Sequence, residues 1–513
     1  MNESTMSKEN TAPTLVQSKT PDNTTKHIQN RRSQELVIGL CGAVGSGVKG
    51  LKDTLTIALK ASGYDIHHVR ISDQISRICG GGLSNLEGYE RYEKLQDAGD
   101  SLRQQYKTTF LAEVAINEIT ITRDKLFGSA SEADQGDVVK TEKKVAYLID
   151  QLKHPDEISL LRTVYPNNFY QVALIRTEKE RKVNLSEEQI SAGEIDALIR
   201  RDRKASDDHG QQVEKALYSA DYFIRNEANQ GKQLKSSVTR FVNLIHGQIG
   251  ITPTHDEIGL FSAYSEALKS ACLSRQVGAA IMDDNGRVIA TGCNDVPKYN
   301  GGLYDAHSAD KDFRCTHQKR CSNDKHKAIL EGEIESVLKL NKLPAQKAKE
   351  LASLIINETK AKSIIEYSRA IHAEMDAITS LARTSSSSTQ DKTLYCTTYP
   401  CHNCARHIVA AGIKRVVYIE PYEKSLAMQL HGDAITDSNE SNKVSFEAFE
   451  GVAPNRYESF FKFNNKRKDK TGRAIEFDII ECHHVDAQYL DSYHDYEYRI
   501  ADIVDKKLNP QPA

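Results

Sequence analysis

His372-Ala373-Glu374 is followed by Pro400-Cys401-His402-Asn403-Cys404, its first cysteine 29 residues beyond the histidine, and this pairing constrains the chain more than any other pattern in it. Cys401 and Cys404 stand one helical turn apart, so both thiols face the same way. At a helix start they meet exposed N–H groups and the positive end of the dipole, which favour thiolate. Pro400 suits that entry because the first helical position needs no N–H donor. His372 supplies an imidazole nitrogen from a neighbouring helix. Three protein ligands leave one tetrahedral position open, as in catalytic zinc sites, where bound water ionises near neutral pH. A purely structural site needs no free carboxylate. The sequence therefore marks His372, Cys401 and Cys404 as zinc ligands and Glu374 as the catalytic proton carrier.

Composition bounds what surrounds this site. At 513 residues the chain exceeds one ordinary core, and two or three domains are expected. Lys+Arg 68 nearly matches Asp+Glu 71, leaving a net charge of −3, so nothing global calls for a polyanionic partner. Residues 1–34 begin with a Ser/Thr/Asn/Lys-rich stretch lacking the apolar core of a signal peptide, and read as a disordered tail. No apolar run approaches the roughly 20 residues of a membrane-spanning helix. Ten cysteines in such a chain point to thiols and metal ligands rather than a disulfide scaffold. The expectation is a cytoplasmic α/β protein with no membrane partner.

Leu36, Val37, Ile38 and Leu40 make a buried first strand, followed by the glycine-rich turn "GLCGAVGSGVKG" and a helix that ends at Gly63. "HHVRIS" makes the next strand, and this β-α-β order implies parallel pairing. "KKVAYLIDQL", "FYQVALIRT" and "ADYFIRN" supply further strands of a unit spanning 35–250, with a polar surface loop at 128–143. A second unit spans 255–485. It opens with a helix and a hairpin turning at Asp284-Asn285-Gly286, carries a helical insertion at 300–366, and resumes with the His-Ala-Glu helix. A flexible connector at 385–391 separates that helix from the strand before Pro400, and residues 486–513 read as a tail.

Two further patterns carry chemistry. Gly42 and Gly47 have the separation of a P-loop, but Val48 precedes Lys49, and Gly50 stands where a hydroxyl normally binds magnesium. Backbone N–H groups of 43–49 still offer a phosphate cradle, with Gly42, Gly45, Ser46, Gly47 and Lys49 as candidate nucleotide-binding residues. Cys315, His317 and Cys321 lie close together in "CTHQKRC". Cys-x5-Cys is not a standard zinc spacing, so a second, structural metal and ordinary thiols stand as equal alternatives.

"RQVGAAIM", "ATGCNDVP", "IHAEMDAI" and "TTYPCHNCARHIVAAGIKRVVYIEPY" resemble, in order over about 255–480, the deoxycytidylate (dCMP) deaminase family. His-x-Glu with Pro-Cys-x-x-Cys is the set shared by zinc nucleobase deaminases. The resemblance implies a cytidine-deaminase-like three-layer α/β/α domain acting on free deoxycytidine nucleotides. It also implies that Asn294 meets the nucleotide's sugar or base, and that Ser274 and Arg275 belong to the substrate-binding loop. Where the family carries Asn-Gly, this chain has Asn294-Asp295. "RRDRKASDDHGQQVEKALYSADYFIRN" at 200–226 resembles the Arg-rich lid and following strand of nucleoside monophosphate kinases. That implies a P-loop kinase-like parallel-sheet domain holding a nucleotide, either ATP or a dNTP.

The two halves in tandem resemble the bacterial anti-phage dCTP/dCMP deaminases of the DcdV/AvcD type over about 35–480. The resemblance implies depletion of dCTP during infection, restraint by a regulatory small RNA, a dNTP effector and a homo-oligomer. A housekeeping pyrimidine-salvage kinase/deaminase is one alternative, opposed by the altered surroundings of Lys49. A polynucleotide cytidine deaminase is another. It predicts a basic channel with aromatic stacking residues, against which the absence of Trp and the balanced charge weigh.

Overall fold

A computed structural model describes residues 24–127, 143–203, 209–227, 231–308, 311–384, 387–422, 425–438, 440–463, 466–486 and 488–492, with isolated residues to 501. Most of the tail expected at 1–34, most of the loop at 128–143, part of the connector at 385–391 and most of the tail at 486–513 lie outside the described residues.

The apolar run at 35–42 is strand β1 (Glu35–Gly42), buried along its whole length, as a strand covered on both faces must be. Parallel to it lie β2 (Asp65–Arg70), β3 (Val145–Asp150), β4 (Phe169–Ile175) and β5 (Tyr222–Arg225). The order across the sheet is β2-β3-β1-β4-β5, with β1 central. Helices Val48–Ala61 and Gly231–Ile245 cover one face, where Leu51, Leu55, Phe241 and Ile245 pack on Leu36, Ile38 and Val172.

The second sheet contains β6 (Gly278–Met282), β7 (Val288–Cys293), β8 (Thr393–Thr398), β9 (Arg415–Glu420), β10 (Ile435–Thr436) and β11 (Val444–Ala448), in the order β10-β11-β9-β8-β6-β7. β6 and β7 form the hairpin read from Asp-Asn-Gly, with Gly286 at φ 78. Alternate residues serve opposite faces. Ala279, Ile281, Leu394 and Val416 meet helices Ala373–Thr384 and His402–Ala410. Ala280, Met282, Tyr395 and Val417 meet Leu260 and Ala263 of helix His255–Ala267. Helices thus flank this sheet on both faces. The insertion folds as two helices packed together, Ser322–Leu340 and Ala345–Glu358.

The halves separated in sequence near residue 250 are knitted in space. A short strand, β12 (Gly451–Val452), follows β11 and pairs antiparallel with β5, placing a segment from beyond the second sheet on the edge of the first. Phe449 packs on Phe223, and one apolar cluster runs from Val37 through Phe223 and Phe449 to Ala263 and Tyr395. Glu257 ties the junction. Buried to within 1% of its surface, it accepts from Val452 N at 2.9 Å, Thr254 N at 2.7 Å and Arg240 Nη2 at 2.6 Å. Beside it, Arg415 donates to Asp256 at 2.7 and 2.8 Å and to Glu447 at 2.9 Å, and Arg225 donates to Glu447 at 3.1 Å. Farther on, Val485 N donates to Ile245 O at 2.7 Å, and Ser33 N donates to Gln488 O at 2.8 Å.

Removing the buried acid strands Arg240 and two backbone donors. Glu257→Ala is expected to cost about 2–4 kcal/mol, read as a lowered urea midpoint, whereas Glu458→Ala, in an exposed helical pair, should leave the midpoint essentially where it was. Burial raises the Glu447 carboxyl, but the Arg415 hydrogen bond and charge outweigh it and hold the group at about 2 rather than 4.5. Its contribution to stability is therefore full above pH 4.5 and is lost as the pH falls toward 2. Acid unfolding of Glu447→Gln should lack that component.

Candidate active site and metal centre

His372 sits one residue ahead of helix Ala373–Thr384. Gly292 of β7 lets this helix lie directly on the sheet: a Cβ there would stand 2.3 Å from Ala377 N and 2.4 Å from Ala373 O. The helix start is braced at two more points. Ile371 N donates to Asp295 O at 3.0 Å, and Cys293 N donates to Asp376 Oδ2 at 3.1 Å. On the other side, β8 ends at Thr398 and Cys401 caps helix His402–Ala410. Tyr399 N donates to Glu420 O at 2.6 Å, and Ser425 Oγ donates to Pro400 O at 2.8 Å, so the turn carrying Cys401 is fixed before the helix begins.

These supports bring His372 Nδ1 to 3.3 Å from the sulfur of Cys401 and 3.3 Å from that of Cys404. All three donor atoms lie within 4.8 Å of one another, the one such His/Cys/Asp/Glu group among the described residues. A tetrahedral zinc bound at about 2.0–2.1 Å to nitrogen and about 2.3 Å to sulfur holds those atoms about 3.5 Å apart. Separation and donor chemistry both fit. Cys401 and Cys404 are buried. The neighbouring Cys404 thiol and the His372 charge push the Cys401 thiol down to about 4, so one thiolate is already favoured. The hydrogen bond that His372 donates to the Cys401 sulfur raises His372 to about 9.

Glu374 is 4% exposed, on the inner side of its helix. Its carboxyl lies beside the thiols of Cys404 and Cys396 and feels the charge of His372. Burial raises its proton affinity above that of an ordinary carboxyl, with His372 opposing. The acid is thus directed toward the ligand cluster and equipped to hold a proton.

The other sequence candidates divide. Asn294 is buried and spends its side chain on the loop before β6, donating to Arg275 O at 2.8 Å and accepting from Val277 N at 2.7 Å. Arg275 pairs with Glu420, and Ser274 is exposed. Cys315, His317 and Cys321 do not form a ligand cluster. His317 instead meets Asp312 at 3.1 Å, and Arg314 binds Asp312 at 2.6 Å and reaches Asp295 at 3.7 Å. The second-metal alternative stands as a proposal of the sequence beside these contacts. Ion pairs and the bond from Thr316 Oγ1 to Ala271 O at 2.6 Å hold this part of the insertion.

The glycine turn leads from β1 into helix Val48–Ala61, with Gly45 at φ 79 and Gly47 at φ 90. Three of its carbonyls are held from outside: Val44 O by Arg181 at 3.4 Å, Gly45 O by Asn184 at 3.0 Å and Ser46 O by Asn226 at 2.8 Å. The Val44 N–H donates at 2.7 Å to Asp202, a fully buried carboxylate also bound by Lys153 at 2.6 Å. An internal acid thus takes a donor that the sequence reading assigned to phosphate. Ser46 is buried and Lys49 exposed.

Sequence reasoning passed over Asp376, Cys396, Asp202 and Glu420. Asp376 lies four residues after His372, on the same helical face, which is a readable signal. The others acquire their roles through contacts between distant segments and leave no local pattern.

Residues 254–420 match the family described as the cytidine and deoxycytidylate deaminase zinc-binding region. The chain is 33% identical to the deoxycytidylate deaminase of Enterobacteria phage T4 over 163 residues, covering 32% of this chain and 76% of that protein. It is 34% identical to the deoxycytidylate deaminase of Enterobacteria phage T2 over 164 residues, covering 32% of this chain and 78% of that protein. The solved structure of dCMP deaminase from the cyanophage S-TIM5 in apo form aligns with 39% of this chain and 100% of that chain, at 20% identity and a TM-score of 0.22. No described helix is long and apolar enough to cross a membrane. With its His372, Cys401 and Cys404 cluster inside the matched region, the chain belongs to the deoxycytidylate deaminase family.

Proposed function

We propose that the protein hydrolytically deaminates free deoxycytidine nucleotides, dCMP or dCTP, to the uracil nucleotide and ammonia. The observation that carries this reading is the placement of His372 Nδ1 at 3.3 Å from both sulfurs, with the buried Glu374 carboxyl against the same cluster. His372, Cys401 and Cys404 would hold a zinc ion, which when bound would supply the Lewis acidity that lowers the pKa of water toward neutrality. Glu374 takes the proton that water gives up and delivers it to the ring nitrogen of cytosine. It then assists protonation of the departing amine, so that water is consumed and ammonia released. Its raised proton affinity suits a group that holds a proton between those transfers.

The wider reading rests on the sequence resemblance. The first half is proposed to be a P-loop kinase-like domain that binds ATP or a dNTP. Supporting this are its parallel order with β1 central and the glycine turn at the end of that strand, where open α/β sheets bind ligands. The whole protein is proposed to act in the cytoplasm as an oligomeric anti-phage enzyme that depletes dCTP and is restrained by a small RNA and a dNTP effector. Loss of protection against phage in cells carrying Glu374→Gln, with protein levels unchanged, is the outcome this role requires.

Ammonia release from dCMP, dCTP, deoxycytidine and single-stranded DNA tests the substrate class directly, and activity confined to the polymer would overturn the reading. Glu374→Gln should keep its zinc content and lose about 10²–10⁴-fold in kcat. Cys401→Ala and Cys404→Ala should lose the metal itself, measured as zinc per chain, and activity with it.

A further inference from the structure

Arg275 projects from the loop before β6 and pairs with a carboxylate, Glu420. The loop is firmly held. Its backbone is tied to Asn294 at both Arg275 O and Val277 N, Gln276 Nε2 donates to Ser270 O at 2.8 Å, and Gly278 N donates to Thr397 Oγ1 at 3.1 Å. Glu420 ends β9, in register with Thr398, and its carbonyl receives the N–H of Tyr399, two residues before Cys401. Asp295, next to Asn294, receives the N–H of Ile371, the residue before His372. Both partners of the ion pair are thus anchored to segments that carry zinc ligands. β6 pairs with β8, Ala279 opposite Cys396, so the loop carrying Arg275 lies at the same end of the sheet as Thr398 and the turn into Cys401.

The ion pair is half exposed, at 45% for Arg275 and 44% for Glu420. Such a pair holds weakly, and a phosphate offers the guanidinium a more highly charged, bidentate partner. We infer that Glu420 is a specificity-determining residue of this deaminase: it is the resident counter-ion of Arg275, displaced by the 5′-phosphate of the nucleotide. This rests on the deamination proposed above. Once displaced, the carboxylate remains beside the phosphate and repels further negative charge. Glu420 therefore sets a penalty that rises from deoxycytidine through dCMP to dCTP. Its removal favours substrates in that order of charge.

The test compares wild type, Glu420→Gln and Arg275→Gln on deoxycytidine, dCMP and dCTP, together with calorimetric binding of dUMP and deoxyuridine. Glu420→Gln, an isosteric change at an exposed position, should lower KM for dCMP about 2- to 5-fold and for dCTP by more, with kcat nearly constant and the gain fading at high salt. Arg275→Gln should reduce the dCMP to deoxycytidine ratio of kcat/KM about tenfold or more. Gains in Glu420→Gln that are equal for all three substrates, or absent, would overturn the inference. So would a ratio unmoved by Arg275→Gln. The binding arm separates two failures. If wild type deaminates none of the substrates, the proposed function falls. An unchanged preference for dUMP over deoxyuridine in both variants removes the role of Glu420 alone.

Discussion

Three donor atoms from two separate helix starts meet within a few ångströms because both helices begin at one end of the second sheet. The tolerance is small, since a ligand displaced by one ångström no longer shares a tetrahedron with the others. The fold meets this demand by fixing backbone rather than by crowding side chains. Gly292 brings the His-Ala-Glu helix onto β7, and Asp376 and Asp295 bind across to the chain on either side of it. Tyr399 and Ser425 hold the turn before Cys401. The residues doing chemistry stand on supports that have none of their own.

How much of this could be read beforehand follows from the range of each interaction. The zinc set was legible because helical geometry turns a spacing of three into a shared face, and Glu374 because it lies two residues from a ligand. The longer strands of both sheets were legible as apolar runs bounded by turns, whereas the short β10, β11 and β12 were not read. The hairpin at Gly286 followed from its Asp-Asn-Gly, and the helix end at Gly63 from its glycine, which has φ 84. What escaped was non-local. Nothing near Asp202 indicates that its carboxylate crosses to Val44, 158 residues away. Nothing near Cys315 and Cys321 shows that Arg314, just ahead of Cys315, pairs with Asp312 and reaches Asp295.

The glycine turn illustrates the same limit from another side. Its sequence predicts a concave row of N–H groups, and the outward-held carbonyls of Val44, Gly45 and Ser46 agree with that shape. Whether such a row is available is decided elsewhere, by the helix that ends in Arg203 and carries Asp202. A motif describes a backbone conformation. Its occupancy is a property of the whole fold.

The two-residue strand β12 has a consequence for how this chain can be divided. A gene cut at residue 250 would encode a first product whose β5 edge is bare and a second whose Gly451–Val452 has no sheet to join. Glu257 would stay with the second fragment and Arg240 with the first, each deprived of its counter-charge. Such fragments would behave as a split pair that regains its shape only by finding one another, so the visible seam in the sequence is no seam in the folded body.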